Sequence, residues 1–387
     1  MLGKKVVGCM VGPCPTRFIF IRHRFSLILT IIFICVHQCR SVSKFLFYSS
    51  LLFSFFALQS FSYADYDDGD GSAEFPFQIA EPNQLIYMSQ HPEHWDKHFI
   101  LTADINLALA EPNSFTTALI APDTDNSQSW FQGMPFTGIF NGNGHVISNL
   151  TIDTEGAGND YLGLFGRIEG SGTEIKNLGL ENIFINGGED SWYIGGLCGR
   201  NNEGSITNCH ASGTVTGGNN SDDLGGLCGG NSHDNISNCY STGSVTIGGD
   251  SDFLGGLCGR KSFSGIIDLC YFLDTSGPDN GYGEPLDDPN MRIQDSFVGW
   301  DFVGDINGTE DIWQLCIDCY DYPRIAWQFI DPGDFLHPGR VDHYDLFVLT
   351  HDWLSIDSRC CDIAPETPDG IVNFLDYSEF TKYWLHE

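Results

Sequence analysis

The stretch GGLCGRNNEGSITNCHASGTVTG, residues 195–217, is followed 30 residues later by GGLCGGNSHDNISNCYSTGSVTI, residues 225–247. A third copy, GGLCGRKSFSGIIDLCYF, occupies residues 255–272, again after a step of 30. Looser copies precede these at 138–152 and 163–185. A fixed period of this length is the signature of a repeat protein in which each unit stacks on the next.

Each unit contains short apolar or β-branched segments separated by Gly, Asn and Ser, and no helical period occurs in 136–275. One unit cannot bury its own apolar face, whereas stacked units can. The alignment predicts one file of inward isoleucines, with an amide or acid two residues after each: Ile147, Ile175, Ile206, Ile236 and Ile266, followed by Asn149, Asn177, Asn208, Asn238 and Asp268. We therefore predict an all-β fold, a right-handed parallel β-helix (solenoid).

Six cysteines follow the same rhythm and are predicted to form two inward files: Cys198, Cys228 and Cys258, then Cys209, Cys239 and Cys270. Free cysteine is a small, readily buried apolar residue, so buried thiols are favoured. Disulfides between coils are the alternative, although three members of one file cannot all pair. Metal ligation is disfavoured, because the spacing within a coil does not bring four ligands together.

These units resemble the GLUG-motif repeat, which is named for its Gly-Leu-x-Gly core and occurs in secreted bacterial proteins, surface proteases and adhesins. The resemblance covers about 76–330, including the lead-in at 75–107 and FTGIFNGNGHVISNLTI at 136–152. It implies a β-helical extracellular region. It implies no particular chemistry, because fold and function are separable.

A different repeat, with a step of 31 residues, joins GRVDHYDLFVLTHDWL (339–354) to GIVNFLDYSEFTKYWL (370–385). It resembles a degenerate dockerin-like module, which implies a small α-helical unit over 333–387, two calcium loops and a cohesin-like partner. The residues that match calcium-ligand positions of such loops are Asp334, Asp342, Asp345, Asp369, Asn373 and Asp376. Leu336, Pro338, Pro365 and Thr367 depart from the ligand pattern, which predicts weak calcium binding or a purely structural helical hairpin.

The N-terminal residues 1–64 contain seven basic residues and no acidic one. An apolar run at 45–58 follows Lys44 and precedes Ser62-Tyr63-Ala64, an arrangement typical of a secretory signal with cleavage after Ala64. Translation starts near residue 42, or the leader is one long segment, and both interpretations predict a secreted or cell-surface bacterial protein. The apolar runs are too short to predict a stable membrane span in the mature chain.

The charge of the chain is strongly asymmetric. Residues 65–387 contain 11 basic and 51 acidic residues, a net charge of −40. Such a surface repels phosphate backbones, so nucleic-acid binding is excluded as the expected function. Acidic pairs precede the Gly-Leu strands, and we expect them to stack at one corner, where they lie in water or bind calcium: Glu189 and Asp190, Asp222 and Asp223, Asp250 and Asp252.

The sequence predicts five segments: a leader (1–64), an N-terminal cap and lead-in (65–135), the GLUG-repeat β-helix (136–275), a C-terminal cap (276–332) and the dockerin-like module (333–387). Four further cysteines lie near the C-terminus: Cys316, Cys319, Cys360 and Cys361. In a secreted chain disulfides are favoured for these four, ahead of free thiols and of a zinc site.

A catalytic constellation is not evident in the repeats. His145 follows a Gly-Asn-Gly turn and is expected to start a strand. Arg200 and Arg260 recur two coils apart, but Gly230 interrupts them. We therefore predict a β-helical protein for binding or adhesion to an extracellular glycan or protein partner. Two alternatives remain open, a component of polysaccharide degradation attached through the dockerin-like tail and an accessory region of a peptidase.

Overall fold

The computed structural model describes residues 66–128, 130–233, 235–249, 253–303, 312–315 and 322–326, together with residues 346, 350, 377, 378 and 381. The predicted leader (1–64) lies outside the described residues. So does the dockerin-like module (333–387), apart from the five single residues.

One α-helix, four single-turn 3₁₀-helices and many short strands make up the described residues from 66 to 326. The helix α1 spans Pro82–Gln90, and its Glu81 and Gln84 form a capping box. The strands of the N-terminal part are β1 Phe77–Ile79, β2 His98–Leu101, β3 Ile105–Asn106, β4 Ile139–Asn141, β5 Val146–Ser148, β6 Thr151–Asp153 and β7 Phe165–Glu169. The strands of the central coils are β8 Glu174–Asn186, β9 Trp192–Gly195, β10 Cys198–Asn202, β11 Ser205–Gly217, β12 Asp222–Gly225, β13 Cys228–Ser232, β14 Asn235–Ser237, β15 Tyr240–Ser241, β16 Ser244–Ile247, β17 Leu254–Gly255, β18 Cys258–Ser262, β19 Ile266–Asp268 and β20 Tyr271–Leu273. The remaining strands are β21 Glu284–Leu286, β22 Trp313–Gln314 and β23 Arg324–Ile325.

Equivalent strands of successive coils pair in parallel, which confirms the predicted all-β solenoid. A four-stranded sheet has the order β18-β13-β10-β7, and a three-stranded sheet has the order β17-β12-β9. The third sheet has 14 strands and runs from β1 to β21. Strands β22 and β23 pair in antiparallel fashion and lie outside these three sheets.

The interior is filled by files of side chains, one from each coil. Cys198, Cys228 and Cys258 stand in register on β10, β13 and β18. All six repeat cysteines are free and buried, which confirms the prediction of buried thiols. Burial raises the pKa of the Cys198 and Cys239 thiols well above its usual range, because a thiolate would have no water around it. The pKa of Cys258 is raised as well, first by its side-chain hydrogen bond with Cys228 and then by burial.

The isoleucine file differs from the prediction at both ends. Ile175, Ile206 and Ile236 stack as expected. Ile147 pairs instead with Leu180, because the coil of β8 has two apolar-x-Asn corners, at 175–177 and 180–182, and Ile147 is in register with the second. At the other end Ile236 pairs with Ile267, whereas Ile266 is 55% exposed.

The reason for the C-terminal shift is one additional residue after β18. Cys228 pairs with Cys258 at a step of 30, but Ile236 pairs with Ile267 at a step of 31. The amide file is displaced in the same way, so that Leu269, rather than Asp268, follows Asn238 at the corner, and both residues are left-handed (φ 51° and 49°).

Asparagine ladders occupy the corners. Asn208 Nδ2 donates to Asn177 Oδ1 at 3.0 Å, and Asn182 Nδ2 donates to Asn149 Oδ1 at 2.6 Å. These four residues have left-handed backbones, with φ between 51° and 59°. Asparagine tolerates this conformation better than most residues, and its side chain bonds the next coil.

The glycines of the GGLCG motif allow the coils to approach each other. A Cβ atom on Gly225 would lie 2.2 Å from the Cys228 carbonyl oxygen and 2.7 Å from the Gly259 nitrogen. Since these obstacles are backbone atoms, the position requires glycine.

One outward face of the solenoid is covered by the chain itself. This covered face bears Gly179, His210, Tyr240 and Tyr271 on β8, β11, β15 and β20, in register. The C-terminal segments contribute Met291, Phe297, Trp300, Phe302, Trp313, Leu315 and Ile325, which form a second apolar cluster with Tyr240 and Tyr271. His210 is buried there, and burial lowers its pKa to about 3.

Candidate functional site

A column of arginines lies on another outward face, formed by β7, β10, β13 and β18. Arg167 pairs with Arg200, Arg200 with Gly230, and Gly230 with Arg260. On β7, β10 and β13 the next residue, Ile168, Asn201 or Asn231, is buried, so the side chains of the preceding position alternate outward. We call this surface the arginine face.

An aromatic column runs beside the arginines. Tyr161 adjoins Tyr193 in the next coil, Asp223 takes the following place, and Phe253 ends the column. Thus the third coil differs from its neighbours at both positions, with glycine in place of arginine and aspartate in place of an aromatic residue.

The two columns contact each other through cation–π pairs. The Arg200 guanidinium carbon lies 4.8 Å from the Tyr193 ring centroid, and Arg260 lies 4.5 Å from that of Phe253. Arg200 Nη1 also donates to the Tyr193 hydroxyl at 3.3 Å. Tyr161 stacks on Tyr193 with their ring centroids 5.0 Å apart. Each guanidinium is thereby held in place by an aromatic neighbour.

The backbone beneath the aromatic column is left-handed. Tyr161, Tyr193 and Asp223 have φ values of 58°, 63° and 59°. This conformation is uncommon for bulky residues and persists only when the surrounding structure imposes it. The column is therefore rigidly positioned, a property typical of functional sites.

A cavity of about 310 Å³ lies where the two columns are interrupted. Its lining consists of two aromatic rings, two arginines, two serines and a glycine: Tyr193, Phe263, Arg200, Arg260, Ser232, Ser262 and Gly230. The atoms nearest to a Cβ atom on Gly230 would be those of the Tyr193 ring, at 3.0–3.1 Å, and of the Arg200 side chain, at 3.9 Å. A side chain at this position would therefore fill the cavity. We call it the Gly230 cavity.

Asp223 is a buried carboxyl group beside these arginines. The residue is 1% exposed, and neither carboxyl oxygen has a hydrogen-bond partner among the described residues. The nearest cation is Arg260, with Nη1 3.8 Å from Oδ2. Burial raises the pKa of Asp223 to about 7, although Arg260 and Arg200 favour the ionised form.

Hydroxyl groups and an exposed ring complete the lining. The Ser232 and Ser262 hydroxyl oxygens lie 2.7 Å apart. Phe263 is 78% exposed and stacks on the His233 ring with centroids 4.5 Å apart. The cavity thus offers cationic, hydroxyl and aromatic groups together, a combination suited to a polar ligand that has one anionic group and one apolar face.

The arginine face is a local exception to the charge of the chain. Four of the 11 basic residues in 65–387 lie on its strands: Arg167, Arg200, Arg260 and Lys261. In a region with a net charge of −40, this concentration of positive charge marks a preference for anions.

The predicted calcium ligands cannot be placed. Asp334, Asp342, Asp345, Asp369, Asn373 and Asp376 all lie outside the described residues, as do Cys316, Cys319, Cys360 and Cys361. Calcium binding by the tail stays a prediction, which titration calorimetry would test. Within the described ranges, no group of three or more His, Cys, Asp or Glu side chains is arranged to hold a metal ion.

The predicted acidic corner does not form as expected. Glu189 and Asp190 are contacted by the amides of Asn219 and Asn220, at 3.0 and 3.1 Å, rather than by the next acidic pair. The aspartates of that pair instead follow Trp192 and Tyr193 in register. Asp250 and Asp252 are outside the described residues. The sequence alignment placed both acidic pairs at the same point of the coil, whereas one pair lies before the corner and the other after it.

His145 immediately precedes strand β5, close to the predicted strand start, and its Nδ1 lies 3.1 Å from Asp104 Oδ1. Arg200, Gly230 and Arg260 are visible in the sequence as one interrupted repeat position, but the sequence does not show that they form one site. The available signal was the change from Arg to Gly within the repeated Gly-Leu-Cys-Gly-x motif. Tyr193 and Phe263 could not be added, because their proximity depends on the course of the coil.

Two segments of the chain, residues 190–216 and 220–246, match the family described as the GLUG motif. The chain therefore contains GLUG repeats, and the two matched segments include Tyr193, Arg200, Asp223 and Gly230. In the described part of the chain, no helix is long and apolar enough to cross a membrane.

Among curated proteins, the chain is 34% identical over 152 residues to halomucin of Haloquadratum walsbyi. The alignment covers 38% of this chain but about 2% of halomucin. Among solved structures, a Bacteroides ovatus protein described as a candidate immunoglobulin A1 protease aligns with a TM-score of 0.43 and 17% identity. That alignment covers 68% of this chain and 95% of the other.

Proposed function

We propose that this chain is a secreted or surface-associated binding protein whose β-helix presents the arginine face to an extracellular glycan. The observation that supports the proposal is the pair of adjacent arginine and aromatic columns. Both columns are interrupted in the same coil, by Gly230 and Asp223, and a cavity lies at this interruption. The similarity to halomucin and the signal-like leader support an extracellular location.

A binding function suits this architecture because a solenoid holds its outward side chains in fixed register. Neighbouring coils lie about 4.8 Å apart, so a column of rings and guanidinium groups forms a rigid, extended surface. Little conformational entropy is lost when such a preorganised surface binds a chain-like ligand.

Polysaccharide cleavage is a less favoured function. Hydrolysis of a glycosidic bond ordinarily requires two carboxyl groups on opposite sides of the bond. Among the described residues that line the Gly230 cavity there is no carboxyl group, and Asp223 alone lies beside its arginines.

The test is a panel of neutral and acidic oligosaccharides incubated with the purified protein. Binding is measured by calorimetry, and the length of each oligosaccharide is measured afterwards. We expect binding of at least one glycan without any shortening. Absence of binding across the panel would refute the proposal, and shortened products would replace it with an enzymatic function.

A further inference from the structure

The Gly230 cavity defines its ligand more narrowly than the rest of the arginine face does. We propose that it is a subsite for the carboxylate of an acidic sugar, which binds between Arg200 and Arg260 while the sugar ring lies against Phe263. This inference rests on the proposed function and names the class of its ligand.

The first argument is the space between the two guanidinium groups. Arg200 and Arg260 stand on either side of Gly230 in one column, so their backbones are about 10 Å apart at the usual spacing of parallel strands. An arginine at Gly230 would continue the column and fill this space. Its absence leaves room for one planar anion that both guanidinium groups can reach.

The second argument is charge. Arg167, in the same column, is already paired with Glu169 at 3.0 Å. Arg200 has an aromatic partner, and no carboxylate forms an ion pair with it in the part of the chain that the structure describes. Arg260 is 3.8 Å from Asp223, a carboxyl group whose burial disfavours its charge. The cavity is therefore cationic and lacks an equivalent internal anion.

Asp223 makes the subsite sensitive to pH. Arg260 and Arg200 lower its pKa, Asp222 and Cys228 raise it, and burial outweighs them all, which gives a value of about 7. Below that pH the carboxyl group is neutral, and the arginines are free to pair with a ligand. Above it, the Asp223 carboxylate repels an incoming anion and competes for Arg260, so binding weakens.

The third argument concerns the sugar ring. Phe263 is 78% exposed, and the Ser232 and Ser262 hydroxyls lie in the same lining. The C–H face of a pyranose ring is apolar and fits an aromatic ring, whereas its hydroxyl groups need polar partners. An acidic peptide would use the arginines but would leave the exposed ring without a matching surface.

The decisive experiment compares an oligogalacturonate with its methyl ester, which has the same shape but no charge. We expect the free acid to bind at least tenfold more tightly at pH 6, with binding reduced about tenfold at pH 8. The variant G230R should reduce binding at least tenfold. It should fold normally, because arginine occupies the same strand position in other coils.

A control variant and a competing acidic peptide make the outcomes distinct. Lys176→Gln, which lies on β8 in a different sheet and is paired with Glu174, should change binding less than twofold. Equal binding of acid and ester, or unchanged binding by folded G230R, would overturn the subsite while leaving glycan binding intact. Absence of binding to every glycan would overturn the proposed function as well. Equal competition by poly-glutamate would assign the cavity to an acidic peptide instead.

Discussion

Two outward faces of the solenoid bear stacked aromatic side chains, and they differ in what lies over them. On the covered face His210 stacks on Tyr240 with their ring centroids 5.0 Å apart. Trp300 and Trp313 stack on each other and cover these two side chains. On the arginine face guanidinium groups lie over the rings of Tyr193 and Phe253, and no returning segment of the described chain covers these groups, since the Arg260 side chain is 41% exposed.

The difference shows how one repeat serves two purposes. Stacking of coils places a side-chain column on every face, whatever its use. Where the column is apolar, the chain returns over it and gains stability. Where arginines accompany the rings, the same geometry yields a surface that can contact a ligand. Whether a column contributes to stability or to ligand binding therefore depends on whether another part of the chain covers it.

The largest expected effect lies on the covered face. Trp313→Ala removes a fully buried ring from the cluster around Tyr240 and should lower the free energy of unfolding by about 3–5 kcal/mol. Denaturant titration measures this loss. Glycan binding by the protein that remains folded should be unchanged, and a loss of affinity would mean that the two faces are coupled.

A matched pair of glycines separates structural from functional positions. Gly225→Ala should cost about 3 kcal/mol, because its Cβ would meet backbone atoms of its own coil and of the next coil. Gly230→Ala should cost much less, since only the Tyr193 ring is close and can move by a few tenths of an ångström. Thermal unfolding of both variants checks the comparison. Equal destabilisation would show that the gap at Gly230 is required by the fold.

Asp223 should make the stability depend on pH. Its pKa is about 7 in the folded protein, whereas an unfolded aspartate ionises near pH 4. Between these values the folded state binds the additional proton, so stability falls as pH rises, by about 2–3 kcal/mol from pH 5 to pH 7. Asp223→Asn should lose this dependence in thermal melts at matched ionic strength. An identical pH profile in both proteins would contradict the assignment.

The smallest effect on stability is expected on the arginine face. Arg200→Ala removes one cation–π contact and should change the free energy of unfolding by about 1 kcal/mol or less. The same variant should reduce binding of an acidic glycan at least tenfold. Calorimetry and denaturant titration on one preparation provide both numbers. A large loss of stability would move Arg200 to the structural side of the comparison.

Much of the fold was readable because a solenoid turns sequence period into spatial register. The constant step of 30 between Cys198, Cys228 and Cys258 predicted their file directly. The prediction was wrong where the period changed. Ile147 was assigned to the wrong corner of its coil, and Ile266 was displaced by one inserted residue.

The sequence by itself determined that this chain forms a stacked β-helix with buried thiols and asparagine corners, because these features repeat along the chain. Only the tertiary structure decided which columns are covered and that Tyr193, Arg200, Gly230 and Phe263 share one cavity. The physical reason is that register relates equivalent residues of neighbouring coils, whereas a site joins non-equivalent residues. Their meeting depends on where the corners bend and where the C-terminal segments return.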